Sequence, residues 1–185
     1  MFFQLFLTAS LAAAPLQLEG VRVPPSVTVE KKRLVLNGAG FRSVVNWKMY
    51  VLALYVDKPS HVDDEILSID RTKRVVLTTL RDIDKNTITK ALARAVERNT
   101  QGSTQDWTAR LKPFFEALRD APAGDVVVLT GIPKRGTVVT AGGKTFEVHG
   151  DDATRVMFSI WLGEFPVDQD LKESILGVAP ASTSP

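Results

Sequence analysis

Hydrophobic and polar positions along this chain change period three times, and the changes divide it into blocks. In "LEGVRVPPSVTVEKKRLVLNGAGFRSV" (18–44), valine and leucine alternate with polar residues. Pro24-Pro25 and the charged "EKKR" interrupt the alternation, which predicts two or three short strands. "WKMYVLALYV" (47–56) is aromatic and β-branched and predicts a strong strand. "TKRVVLTTLRD" (72–82) predicts another, apolar at Val75, Val76, Leu77 and Leu80.

The period then becomes helical. In "DKNTITKALARAVERNT" (84–100), Ile88, Ala91, Leu92, Ala95 and Val96 form one stripe, with Asp84 or Asn86 placed to cap the start. "STQDWTARLKPFFEALRD" (103–120) puts Trp107, Leu111, Phe114, Phe115 and Leu118 on one side. Pro113 should kink that helix or restart it. Strand patterns return in "GDVVVLTGIP", "GTVVTAGG" and "KTFEVHG", with Gly142-Gly143 as a hairpin turn. Two helices close the chain: "DDATRVMFSIWLG", ending at Gly163, and "PVDQDLKESILG", capped by Asp168 and ending at Gly177. The order is strands, two helices, strands, two helices. It predicts an α+β fold, a mostly antiparallel sheet covered by helices.

Composition narrows the picture. With 185 residues and 44% hydrophobic content, the chain can bury one core and not two. The formal net charge is +2, and the basic runs "KKR" and "RTKR" have acids nearby, so they read as solvated turns or strand edges and not as a nucleic-acid footprint. Cysteine is lacking, which excludes disulfides, thiolate metal sites and cysteine nucleophiles. His61 and His149 are isolated and lack ligand spacing, so no metal or cofactor is expected. The apolar stretch "MFFQLFLTASLAAAPLQ" is too short to span a bilayer comfortably and resembles a secretory signal peptide over 1–14, with "LAAA" as a cleavage candidate. That reading predicts export, to a bacterial periplasm or beyond; an uncleaved apolar N-terminus is the alternative. "APASTSP" (179–185) is expected to be a disordered tail.

Three polar residues stand in apolar patterns. Arg42 shares a strand face with Gly38 and Gly40, which leave space beside it. It could contact a ligand, form a salt bridge or sit at an exposed edge. "GAG" (38–40) reads as a β-bulge or a close backbone approach. Tyr50 shares its face with Leu52, Leu54 and Val56, and alone would be a core tyrosine. Asn99 falls on the apolar stripe of its helix and alone would be a C-cap.

"LEGVRVPPSV", "LVLNGAGFRSV", "MYVLALYV", "AVERN" and "FSIWLGEFPVDQDLKESILG" resemble, in that order, segments of the chalcone isomerase-like superfamily, over about residues 17–178. The resemblance implies an open-faced β-sandwich with helices layered on a large antiparallel sheet and an apolar cleft between. It maps the site arginine of the plant isomerases onto Arg42, their asparagine onto Asn99 and a helix hydroxyl onto Thr154. Two positions depart: Tyr50 replaces a threonine that orients the reacting carbonyl, and Leu92 replaces a tyrosine of the water network. Fatty-acid-binding proteins of the same fold are similar in carrying an arginine and a tyrosine where Arg42 and Tyr50 stand, and there the pair grips a carboxylate. The resemblance thus implies a non-catalytic binder of a fatty acid or similar amphipathic carboxylate, with Arg42, Tyr50, Asn99 and Thr154 as ligand-binding residues. The alternatives are an intramolecular lyase or isomerase using Arg42, Asn99 and Thr154, and a scaffold whose cleft is filled. Oligomeric state is open.

Overall fold

The computed structural model describes residues 14–178; the signal-peptide and tail readings lie outside the described residues. The first strand block resolves into four strands: β1 (Leu16–Leu18), β2 (Val21–Val23), β3 (Ser26–Val29) and β4 (Lys32–Val44). They are followed by β5 (Trp47–Val56), the helix α1 (Asp63–Leu67) and β6 (Lys73–Thr79). Next come α2 (Lys85–Asn99), α3 (Trp107–Arg110), α4 (Lys112–Ala117) and the meander β7 (Val126–Ile132), β8 (Gly136–Ala141), β9 (Lys144–His149). The helices α5 (Asp151–Leu162) and α6 (Gln169–Leu176) complete the fold. β3 to β9 form one seven-stranded sheet in chain order, every pair antiparallel, and β1–β2 form a separate hairpin.

Alternation along β5 sorts the core into two layers. Tyr50, Leu52, Leu54 and Val56 point to the helix side, where Val75, Leu129, Val139 and Val148 join them against α5 and α6. Val51, Ala53 and Tyr55 point the other way and pack with Leu34, Phe41, Leu18 and Val23 under the β1–β2 hairpin. Tyr55 ties the hairpin down by donating its hydroxyl to Pro24 O at 3.0 Å. Burial pushes its phenol up to about 12.

The close-approach reading of "GAG" holds at Gly38 and Gly40, while the bulge falls one residue before it. A register shift places Asn37 as a bulge between Leu36 and Gly38. Asn37 then donates Nδ2 to Ser60 O and Ile175 O and accepts from Ser60 N. The space beside Gly38 and Gly40 is filled by α6 and not by a ligand. A Cβ at Gly38 would lie 2.3 Å from Ser174 O, and one at Gly40 2.7 Å from Ser174 Cβ.

The helix readings hold with three refinements. Asp84 caps α2 by accepting from Thr87 N. The 103–120 helix breaks at Leu111 into α3 and α4, with Pro113 in the first turn of the second, where its missing N–H does no harm. Gly177 takes left-handed φ 70° and closes α6, Gly177 N donating to Ser174 O and Val178 N to Glu173 O. Gly163 does not repeat this, since its φ is −72°. Glycine is required there for room: a Cβ would lie 2.1 Å from Asn99 Oδ1. α1 has no strong sequence signal, because its five residues are too few for a periodic stripe; Ile66 and Leu67 anchor it in the core.

Candidate functional site

Between the helix face of the sheet and α2 and α4 lies a cavity of about 370 Å³, within the range of small-molecule pockets. Its floor is Leu77, Val127, Leu129 and Val139; its roof is Ile88, Ala91 and Leu92 from α2 with Phe114 and Leu118 from α4. α2 packs on α5, and its apolar stripe faces the cavity above the sheet. Lys90 and Arg94, one helical turn apart on α2, line the cavity and are exposed, so they mark its rim.

Arg42 and Tyr50 stand at one end of this cavity, with Trp161 of α5 beside them. The two strand residues are direct cross-strand partners, which places their Cβ atoms about 5 Å apart on the same face. Tyr50 is 7% exposed and Trp161 3%, whereas Arg42 is half-buried. Trp161 Nε1 donates to Tyr50 Oη at 3.1 Å. Burial pushes the Tyr50 phenol above its ordinary value; the Arg42 charge and donors from Trp161 and Arg42 oppose this, and Asp168 adds a smaller upward push. The phenol therefore stays protonated at neutral pH.

Donors outnumber acceptors at this end. An indole N–H only donates and a guanidinium only donates, so the Tyr50 oxygen is the acceptor for Trp161 and its O–H hydrogen points elsewhere. Arg42 makes no ion pair among the described residues. The other charged pair lining the cavity is self-satisfied: Arg119 Nη2 donates to both oxygens of Asp125 at 2.8 Å. The arrangement is an apolar chamber with one donor-rich end; the carboxylate that acts on Tyr50 there, Asp168, caps α6 by accepting from Leu171 N and makes no ion pair with Arg42. Among the described residues no group of side chains could hold a metal.

Asn99 and Thr154 lie elsewhere. Asn99 Nδ2 donates to Ala95 O and Phe165 O, both at 2.8 Å, and its Oδ1 accepts from Phe165 N at 3.1 Å. Every polar atom of that side chain is used to clamp the α5–α6 loop onto the end of α2. Thr154, buried under β8, donates to Gly150 O at 3.2 Å and accepts from Thr137 Oγ1 at 3.0 Å. Neither lines the cavity. Trp161 is the site residue that strand parity does not reveal. Its signal in the sequence is a tryptophan on a helix whose neighbours are all apolar, since a buried indole N–H needs a partner.

The profile of the family described as chalcone isomerase-like matches residues 15–177. No curated protein sequence matches the chain. Among solved structures, a fatty-acid binding protein of Arabidopsis thaliana superposes with a TM-score of 0.66 at 15% identity, covering 85% of this chain and 92% of that one. At that identity the likeness speaks for the fold. Sheet, helices and profile agree, and the chain belongs to the chalcone isomerase-like family.

Proposed function

We propose that this protein binds a fatty acid or similar amphipathic carboxylate, tail in the cavity and head on Arg42 and Tyr50, without catalysing its conversion. The observation that carries the reading is the donor surplus at one end of an apolar chamber. A planar guanidinium and a phenol O–H oriented by Trp161 are matched to a carboxylate. The fatty-acid-binding name of the structural neighbour supports the same ligand class. Each buried methylene contributes about 0.8 kcal/mol and each charge-assisted hydrogen bond about 1.5–3 kcal/mol. The tail therefore dominates affinity and the head sets orientation. Non-catalysis is supported by Leu92, which has no proton to exchange, and by the structural hydrogen bonds that occupy Asn99 and Thr154. No hydroxychalcone cyclisation above background is expected. We place the binder outside the cytoplasm, after removal of its apolar N-terminal stretch.

Native mass spectrometry of protein purified from its own host tests the ligand class directly; an acyl carboxylate is expected to co-purify. The Arg42→Ala variant tests the head site. With no carboxylate paired to Arg42, its loss should leave Tm unchanged or slightly raised and weaken long-chain carboxylate binding roughly ten- to hundredfold. A large fall in Tm with unchanged affinity of the folded protein would overturn the reading.

A further inference from the structure

The turn joining β4 to β5 presents three apolar side chains to water: Val44, Val45, which is 87% exposed, and Trp47, which is 61% exposed. It is a two-residue turn, Val44 opposite Trp47, and its first central residue, Val45, has φ 56°. That left-handed region favours glycine or asparagine and is costly for a β-branched residue. Val45 packs in neither layer of the core. The fold gains nothing from an exposed, strained valine here, and residues kept under strain cluster at functional places. Arg81 holds its guanidinium 4.0 Å over the Trp47 ring, so the indole is braced.

The turn is continuous with the cavity. Val44 and Met49 line it, as do Arg42, Lys90 and Arg94. Among the described residues Lys90 and Arg94 have no carboxylate within salt-bridge distance, and the carboxylate that lines the cavity, Asp125, is already paired with Arg119. A projecting apolar point with a tryptophan thus stands beside unpaired cations at the mouth of an apolar chamber. A tryptophan with flanking cations suits the boundary of an anionic bilayer. A folded protein partner requires a broad complementary patch, whereas three side chains at one point fit a surface that deforms around them. No helix of the described chain is long and apolar enough to cross a membrane.

We propose that the Val44–Trp47 turn docks the protein on an anionic lipid surface, with the cavity mouth facing the lipid. Docking stands on the turn and its charges; only what the docked cavity collects rests on the carboxylate reading. The test is sedimentation of the purified protein with vesicles of phosphatidylcholine alone and of phosphatidylcholine with phosphatidylglycerol, together with the emission shift of Trp47. Wild type should bind the anionic vesicles, more weakly as salt rises, with a blue shift that Trp47→Ser abolishes. Val45→Asn with Trp47→Ser should lower partitioning about tenfold or more, through lost apolar burial. Val45→Asn suits the backbone better than valine, so the variant should fold. It should keep wild-type affinity for a free long-chain carboxylate, whereas Arg42→Ala should lose that affinity and keep most vesicle binding. Equal partitioning of wild type and the double variant, or no binding by either, overturns the proposal.

Discussion

The indole N–H of Trp161 and the hydroxyl of Tyr50, 111 positions apart in the chain, form a buried 3.1 Å hydrogen bond at the end of the cavity. Donation from the indole leaves the phenol hydrogen to point away from α5. Tyr50→Phe keeps the ring and its packing but removes the acceptor. An unsatisfied buried donor costs about 1–3 kcal/mol, so unfolding should be easier by that amount. Long-chain carboxylate affinity should fall about tenfold through loss of the second donor. Denaturant titration and ligand titration on one preparation check both effects.

Asn99 should behave as a structural residue. Asn99→Ala removes three hydrogen bonds and leaves Phe165 N and O without side-chain partners, a loss of about 2–3 kcal/mol. Carboxylate affinity of the folded protein should be unchanged. Gly163→Ala alone should also destabilise, because the new Cβ meets Asn99 Oδ1. In the Asn99→Ala background the same change should cost less, and a double-mutant cycle measures the difference. Strict additivity would contradict the clamp.

Gly38→Ala is expected to be among the more damaging changes in the sheet. Its Cβ would meet Ser174 O and Ile175 O, backbone atoms of α6 that cannot rotate aside. About 3 kcal/mol or more should be lost. Gly40→Ala meets side-chain atoms of Ser174 and Leu171 and should cost less. Thermal melts of the two variants side by side give the order.

Lys73 supplies a pH dependence. It is 1% exposed and donates Nζ to Ser68 O at 2.7 Å and Arg71 O at 3.3 Å. Burial, with the like charge of Arg71 and against the pull of Asp57, lowers its pKa to about 8. An unfolded lysine titrates near 10.4, so between these values the unfolded chain binds more protons than the folded one. Stability from this group therefore rises with pH across that window, and the penalty is fully present below its lower end. Over the window the gain is about 3 kcal/mol at most. The Tm of wild type should climb relative to that of Lys73→Met between about pH 7.5 and 10. A constant difference would show that Lys73 keeps its ordinary affinity for protons inside the fold.

Much of the architecture was legible in one-dimensional pattern. Alternation in 47–56 placed Tyr50 on the face of Leu52 and Leu54, and the 3.6-residue stripe placed Leu92 and Ala95 on the inner side of α2. Caps at Asp84 and Asp168 and the close at Gly177 follow from local hydrogen bonding, so they too could be read in advance. The resemblance to the family supplied the pairing of Arg42 with Tyr50. Period says which face a side chain takes and is silent on what meets that face. Asn99 lies on an inward stripe in either case; its partner Phe165, 66 positions on, is what makes it a clamp. Gly163 stops α5 as the sequence indicates, but with extended backbone, and only the fold shows that it also leaves the room that Asn99 occupies. The glycines beside Arg42 were legible as space, but only α6 decided that the space receives a helix. Trp161 became part of the site when α5 packed on the sheet and its indole reached Tyr50, and Val45 was one more valine until the turn gave it a positive φ in full solvent. Local sequence sets period, capping and chain direction; the partners of each buried polar group are set by long-range packing, and in this protein those partners decide which polar residues face the cavity.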